Sequence, residues 1–343
     1  MPVDSNSLPR SFPCYLVRQG DQGLITAQVE TITLDQLPDG DVLIEVGYSS
    51  LNYKDALASQ GHPGVVRRFP HLPGVDCAGT VVESGSAEFK PGDQVLVTGY
   101  DLGAPAWGGL SRFVRVPVDW VVPLPQGLTL RESMILGTAG FTAAQCVTAI
   151  GDRNIDPGEG EVVVTGASGG VGCLAVAILA QCGFRVAAVT GKRERHEWLR
   201  KLGASTILDR TDVLDDSDRP LLKARWVAAV DTVGGKTLAT LVRSVQYRGC
   251  VTACGLVGGD QLSLTVYPFI LRGVSLVGID SAKCPRESRL EIWDKLSGNW
   301  KPEQLDAMAQ EITLAEVPQV MEDLLAGRAA SRTIVRPTDG LQA

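Results

Sequence analysis

The sequence predicts an α/β protein of two parts: a barrel-like domain of short antiparallel strands, and a doubly wound domain on a parallel sheet. Three observations predict it. Up to about Pro125 the chain is punctuated by Gly and Pro, with short alternating apolar runs such as "DVLIEVGYSS", "AGTVVES", "DQVLVTG" and "SRFVRVP". From Glu161 onward, strand-like apolar runs alternate with helix-length amphipathic segments, the pattern of a parallel sheet covered by crossover helices. Between them, "EVVVTGASGGVG" (161–172) reads as a β-branched strand running into a glycine-rich turn.

The elements of the second part follow in order: "EVVVT", a helix over Val171–Cys182, "RVAAV", a helix over Arg193–Leu202, "STIL", "WVAAVDTVG", a helix from Lys236 to about Val245, "GCVTACG" and "VSLVGID". Beyond about Pro285 come helical segments and a last strand-like run, "SRTIVRP", which is expected to return to the first domain. The expected divisions are 1–128, 129–285 and 286–343, the first and last forming one domain.

Bulk composition narrows the function classes. Net charge is −7, so nothing draws the chain as a whole to nucleic acid or to an anionic membrane. The longest wholly apolar run, "LAVAILA" (174–180), is too short to span a bilayer, and "MPVDSNSLPRSFPCYLV" lacks the order of a secretory signal. None of the eight cysteines forms a Cys-x-x-Cys pair, and Cys173, Cys182, Cys250 and Cys254 lie in apolar patterns suited to reduced thiols. A cytoplasmic location and a small-molecule partner are expected.

The glycine turn carries the chemistry. Gly166, Gly169 and Gly172 stand three apart between strand and helix, where a chain must turn tightly, approach a pyrophosphate and pack helix on strand. Ser168, Gly169, Gly170 and Val171 would then present backbone N–H groups at a helix N-terminus to the phosphates. In such a unit the next strand commonly ends in an acid that grips a ribose hydroxyl. Here "RVAAV" leads instead into Thr190, Gly191, Lys192 and Arg193. Donors and positive charge suit a 2′-phosphate, so NADPH is expected over NADH, with Arg210 a second cation for the same face. The alternative reading of "KRER" is a solvated helix start.

With these segments in view, the chain resembles the medium-chain dehydrogenase/reductase superfamily, and within it the zinc-free branch of acryloyl-CoA reductase and quinone oxidoreductase-like proteins. The matching runs are "SSLNYKDALA", "PGVDCAGTV", "WGGLS", "MILGTAGFTAA", "VVVTGASGGVG", "AAVDTVGG", "CGLVGG" and "PFILRGVSLVGIDS". The resemblance implies a GroES-like β-barrel domain enclosing a Rossmann domain, with the cofactor between them and a homodimer through the last Rossmann strand. It implies that Tyr53, Ser168–Val171, Thr190–Lys192 and Arg210 meet NADPH, and that Leu256, Ile270 and Ser281 surround its nicotinamide half. Arg332 joins the cofactor-binding candidates.

Zinc-dependent members carry a Cys and, after Pro-Gly, a His-Glu pair. This chain has "LNYKD" and "LPGVDCAG", with Val75 and Asp76 at the His-Glu positions, and its histidines are only His62, His71 and His196. No metal site is expected. The resemblance implies reduction of the C=C bond of a short α,β-unsaturated acyl-CoA, with Asn52 and Tyr53 as catalytic candidates aimed at the carbonyl oxygen or the α carbon. Quinone reduction and a non-catalytic NADPH-binding sensor are the alternatives. The phosphates of a coenzyme A carrier would need basic residues; Arg67 with Arg68, Lys283 with Arg286, and Arg332 are the candidates.

Overall fold

The computed structural model describes residues 8–338 and divides the chain into two units. Unit 1 takes Met1–Thr138, Ala282–Ser297 and Leu305–Ala343; unit 2 takes Ala139–Ser281 and Gly298–Gln304.

In unit 1 the first strands are β1 (Ser11–Gln19), β2 (Ile25–Thr33) and β3 (Val42–Ser50). The short helix α1 (Tyr53–Ser59) follows, then β4 (Asp76–Ser84), β5 (Gln94–Thr98), β6 (Phe113–Val116) and β7 (Val122–Pro123). Helix α2 (Leu130–Gly151) begins in unit 1 and ends in unit 2. Unit 2 continues with β8 (Glu161–Val164), α3 (Gly170–Gln181), β9 (Arg185–Val189), α4 (His196–Lys201) and β10 (Ala204–Leu208). It closes with β11 (Trp226–Asp231), α5 (Gly235–Ser244), β12 (Val245–Ala253), α6 (Tyr267–Arg272) and β13 (Ser275–Gly278). The chain returns to unit 1 with α7 (Arg286–Ser297), β14 (Ala309–Thr313), α8 (Val317–Leu325) and β15 (Arg332–Arg336).

Unit 1 holds the pair β1–β2 and a seven-stranded sheet ordered β14-β15-β3-β4-β5-β7, with β6 also on β3. Its pairings are antiparallel except β14–β15, as the alternating runs require. β15 does return from the chain's end to pair with β3. Among the described residues its apolar side chains pack around Phe12, Leu43, Leu72 and Phe113, around Val42, Ile44, Val81 and Val95, and in a smaller cluster of Ala58, Val65 and Val66.

Unit 2 holds six parallel strands ordered β10-β9-β8-β11-β12-β13. The order reverses between β8 and β11, the place where open α/β sheets bind ligands at the carboxyl ends of the strands. Val162, Val163 and Val164 are wholly buried, each contributing about 1.5–3 kcal/mol. Helix α3, apolar almost all round, is likewise buried over Gly172–Leu179. All eight cysteines are free thiols, six of them buried.

The first division falls at 138/139 rather than at 128/129. Gly137 interrupts α2 with φ 49° and ψ −156°, and Thr138 is tied to Asp76 of β4, so the first turns of the helix belong to unit 1. The second falls at 281/282 rather than 285/286. α2 has the length and apolarity of a membrane span, but 72% of its most apolar window is buried in the protein, as a core helix is.

Candidate functional site

Unit 2 places the glycine turn at the carboxyl end of β8. Gly166 has φ +58°, and a Cβ there would lie 2.3 Å from Thr232 Oγ1; a Cβ on Gly172 would lie 2.2 Å from the Gly166 carbonyl oxygen. Only glycine fits either position. The turn is fixed from beneath. Thr165 Oγ1 donates to Asp231 Oδ1 at 2.7 Å, and the Asp231 carboxylate also accepts from Gly234 N at 2.7 Å. Burial raises the Asp231 pKa, with the Thr165 hydrogen bond opposing. This strut joins the strands that flank the switch point, and "VDTVGG" was its only trace in the sequence.

The second half of the site lies at the end of β9. Ser168 Oγ and Thr190 Oγ1 are 2.9 Å apart, and the Lys192 amide donates to Thr190 Oγ1 at 3.1 Å. Arg210 lies across Gly191, where a Cβ would come within 3.0 Å of its Nε. The Lys192 pKa is lowered, first by burial, then by the charge of Arg195; Arg210 acts in the same direction and Glu194 opposes. Ser168, Thr190, Gly191, Lys192 and Arg210 are therefore one group. Arg193 has an exposed side chain, and the cation beside Lys192 from that run is Arg195, one helical turn later. Sequence order could not separate the two.

Of the later candidates, Leu256 follows β12, with its Cα 3.1 Å from where a Gly234 Cβ would stand, which sets it beside the end of β11. It is 65% exposed. Ile270 lies on α6, also exposed, and Ser281 lies beyond β13, half-buried; they sit on separate segments.

Unit 1 holds a separate buried polar cluster. Asn52 caps α1, and its backbone N–H donates to Asp55 Oδ2 at 2.8 Å in a capping box. Asp55 Oδ1 accepts from Gly74 N at 3.0 Å and Val75 N at 2.9 Å. The Asp55 pKa is pushed up to about 7, by burial foremost and by the charge of Asp76 next, against those three donors. Asp76, fully buried, accepts at Oδ2 from Ser50 Oγ (2.6 Å) and Asn52 Nδ2 (2.7 Å), and at Oδ1 from Thr138 Oγ1 (2.6 Å).

Arg332 closes the cluster. Its Nε donates to Ile135 O at 2.9 Å, Nη1 to Leu51 O at 3.2 Å and Asn52 Oδ1 at 3.3 Å, and Nη2 to Ser50 Oγ at 2.9 Å, 4.0 Å from Asp76 Oδ2. Gly137 leaves room for it, because a Cβ there would meet Asp76 Oδ2 at 2.6 Å and Arg332 Nη2 at 3.0 Å. The expectation for Arg332 is corrected: it is only 2% exposed, and its guanidinium is spent inside unit 1 rather than offered to a phosphate. Lys283, in contrast, is an exposed residue paired with Asp101 at 2.6 Å, and Arg286, partly exposed, bonds Val121 O and pairs with Glu88.

The cluster also redistributes the two catalytic candidates. The Asn52 amide donates to Asp76 and accepts from Arg332, so Asn52 is a positioning residue at the head of α1. Tyr53, the next residue, is 41% exposed, and its hydroxyl has no hydrogen-bond partner among the described residues. Sequence reading missed Asp76 as the hub, although an acid inside the apolar run "VDCAGTVV" was its signal. His71 is buried, with Nε2 3.0 Å from Gly103 O, and His62 Nδ1 accepts from Gly64 N.

Comparison with known proteins bears on the family. A family model described as alcohol dehydrogenase GroES-like domain matches residues 38–126, and one described as zinc-binding dehydrogenase matches residues 170–297. Among curated relatives, "Putative quinone oxidoreductase YhfP" of Bacillus subtilis (strain 168) is 47% identical, the match covering 91% of this chain and 95% of that one. "Probable acrylyl-CoA reductase AcuI" of Escherichia coli (strain K12) is 46% identical over 94% of this chain and 98% of its own. Among solved structures, the yhdH oxidoreductase from Salmonella enterica in complex with NADP superposes with a TM-score of 0.91 at 48% identity, covering 95% of this chain and 99% of that one. Bacillus subtilis yhfP with NAD bound superposes with a TM-score of 0.93 at 45% identity, covering 96% and 100%. Such identity over nearly the whole of both chains decides the relationship: the chain belongs to the medium-chain dehydrogenase/reductase superfamily, in its quinone oxidoreductase-like branch.

Proposed function

We propose that this chain is an NADPH-dependent reductase of the C=C bond of short α,β-unsaturated acyl-CoA esters, taking acryloyl-CoA to propionyl-CoA. The observation that carries the cofactor half is the cationic group at the end of β9, where Lys192 lies beside Thr190 with Arg210 across Gly191 and the charge of Arg195 acting on Lys192. The acceptor half is supported by 46% identity to a relative named as an acrylyl-CoA reductase.

The residues present fit the cofactor. The N–H groups of Ser168, Gly170 and Val171, at the start of the twelve-residue α3, would hold the pyrophosphate, that of Gly169 already donating to Gly166 O at 2.9 Å; Thr190 Oγ1, the Gly191 amide, Lys192 and Arg210 would hold the 2′-phosphate. When bound, NADPH supplies the hydride that goes to the β carbon of the acceptor. Negative charge then builds on the thioester oxygen, and a donor aimed at it lowers the barrier. Tyr53 Oη, exposed and without a hydrogen-bond partner among the described residues, is the candidate to make that hydrogen bond or to pass a proton to the α carbon. Asp55, Asp76 and Arg332 hold the loop that presents it.

A homodimer belongs to the same reading. β13 is the open edge of the parallel sheet, and Val266, Tyr267 and Leu271 beside it are exposed. The molar mass from light scattering tests this point.

Quinone reduction is the second reading, favoured by the name of the 47% identical relative. Steady-state assays with NADPH and either acryloyl-CoA or a benzoquinone separate the two. Propionyl-CoA formation with slow quinone turnover is expected; brisk quinone reduction with no propionyl-CoA would reverse the conclusion.

A further inference from the structure

Of the basic residues of unit 1 considered for a phosphate, three are engaged, while Lys54, beside Tyr53, is exposed with no ion pair among the described residues. Lys283 pairs with Asp101, Arg286 with Glu88, and Arg332 is buried on Asp76. Arg67 and Arg68 differ: both are exposed, and neither has an ion pair or hydrogen bond among the described residues. They are also held in place. The preceding Val65 and Val66 are buried, 8% and 4% exposed, against Ala58 and Leu57 of α1, Phe69 and Ala104. On the other side, Trp107 Nε1 donates to Pro70 O at 3.0 Å, and His71 pairs its backbone with Val17. Two adjacent guanidinium groups, unneutralised in a chain of net charge −7, thus stand on a fixed segment packed on the helix that begins with Tyr53. Val65 and Val66, just before the pair, pack on Leu57 and Ala58, about one turn along α1 from Tyr53.

We infer that Arg67 and Arg68 form an anion subsite that grips the phosphates of the coenzyme A carrier. The inference rests on the acyl-CoA reading above and gives it a residue-level address. Guanidinium forks match phosphate oxygens bidentately, and a rigid segment loses little freedom on making that contact. The subsite acts on binding alone, because it contacts the distal end of the substrate and not the reacting atoms.

The test compares two substrates on wild type, Arg67→Ser/Arg68→Ser and Arg67→Lys/Arg68→Lys. One substrate is acryloyl-CoA; the other is acryloyl-pantetheine, which carries the same thioester without phosphates. For the Ser variant, KM for acryloyl-CoA is expected to rise about tenfold (about 1.4 kcal/mol) at nearly constant kcat, with KM for acryloyl-pantetheine unchanged. The Lys variant keeps the charge but not the fork and is expected to recover only part of the loss, and added salt is expected to raise KM for acryloyl-CoA in wild type more than in the Ser variant. Equal changes for both substrates, or none for either, would overturn the subsite while leaving the acyl-CoA reading in place. If wild type reduces quinones but neither thioester, the acyl-CoA reading itself fails and takes the subsite with it.

Discussion

Replacing Arg332 by Met is the sharpest probe of the unit 1 cluster. Met preserves much of the aliphatic volume but removes a guanidinium that bonds two backbone carbonyls, Ser50 Oγ and Asn52 Oδ1. Arg332 and Asp76 are 3% and 0% exposed at their side chains, so solvent cannot replace the lost cation. A buried charge pair broken on one side typically costs about 3–5 kcal/mol, because the remaining charge is left uncompensated. For a unit of this size each kcal/mol shifts the midpoint by about 2–4 °C, so a fall of roughly 10 °C in Tm is expected by circular dichroism. Arg332→Met combined with Asp76→Asn removes the orphaned charge and is expected to recover a large part of that loss, whereas independent sites would add. Activity in the single variant is expected to fall through kcat, with NADPH affinity intact, since the group proposed to hold the cofactor lies on unit 2. A Tm within about 2 °C of wild type, or a double variant less stable than either single one, would refute the idea that this cation balances Asp76.

Three other outcomes follow from the geometry. Lys192→Ala with Arg210→Ala is expected to weaken NADPH about a hundredfold by calorimetry, two charge-assisted contacts at about 1.5 kcal/mol each, and to leave NADH almost unchanged; Arg193→Ala is expected to do little to either. Tyr53→Phe is expected to lower kcat at least tenfold, at the modest end of acid–base and oxyanion effects, without altering NADPH affinity, and an unchanged kcat would leave its ring only a packing role.

Asp55 supplies a pH signature. Its folded pKa, about 7, lies above its ordinary value of 3.8, so the folded state holds the proton more tightly. The stability this confers is complete below about pH 4 and is lost as pH rises through 7. Relative to Asp55→Asn, wild type is therefore expected to lose on the order of 3–4 kcal/mol between pH 4 and pH 8, read from urea unfolding. A difference flat with pH would refute the shift.

Much of this protein was determined by local sequence. Alternation with period two gave the antiparallel strands of unit 1, and strand–helix alternation gave the six parallel strands of unit 2, because side-chain periodicity and burial are set within each segment. The turn around Gly166 and Gly172 was equally legible, since a position that tolerates no Cβ admits one residue only. Whatever depends on distant segments meeting was left to the tertiary structure. Asp76, Thr138 and Arg332 lie far apart in the chain, and only folding makes one network of them, turning an expected phosphate ligand into a buried brace and spending the Asn52 amide within the protein. Likewise, the run "KRER" announced positive charge, but which cation stands beside Lys192 was settled by one helical turn and by the packing of Arg210 over Gly191. Charge and period are properties of a segment; the partner of a charge is a property of the fold.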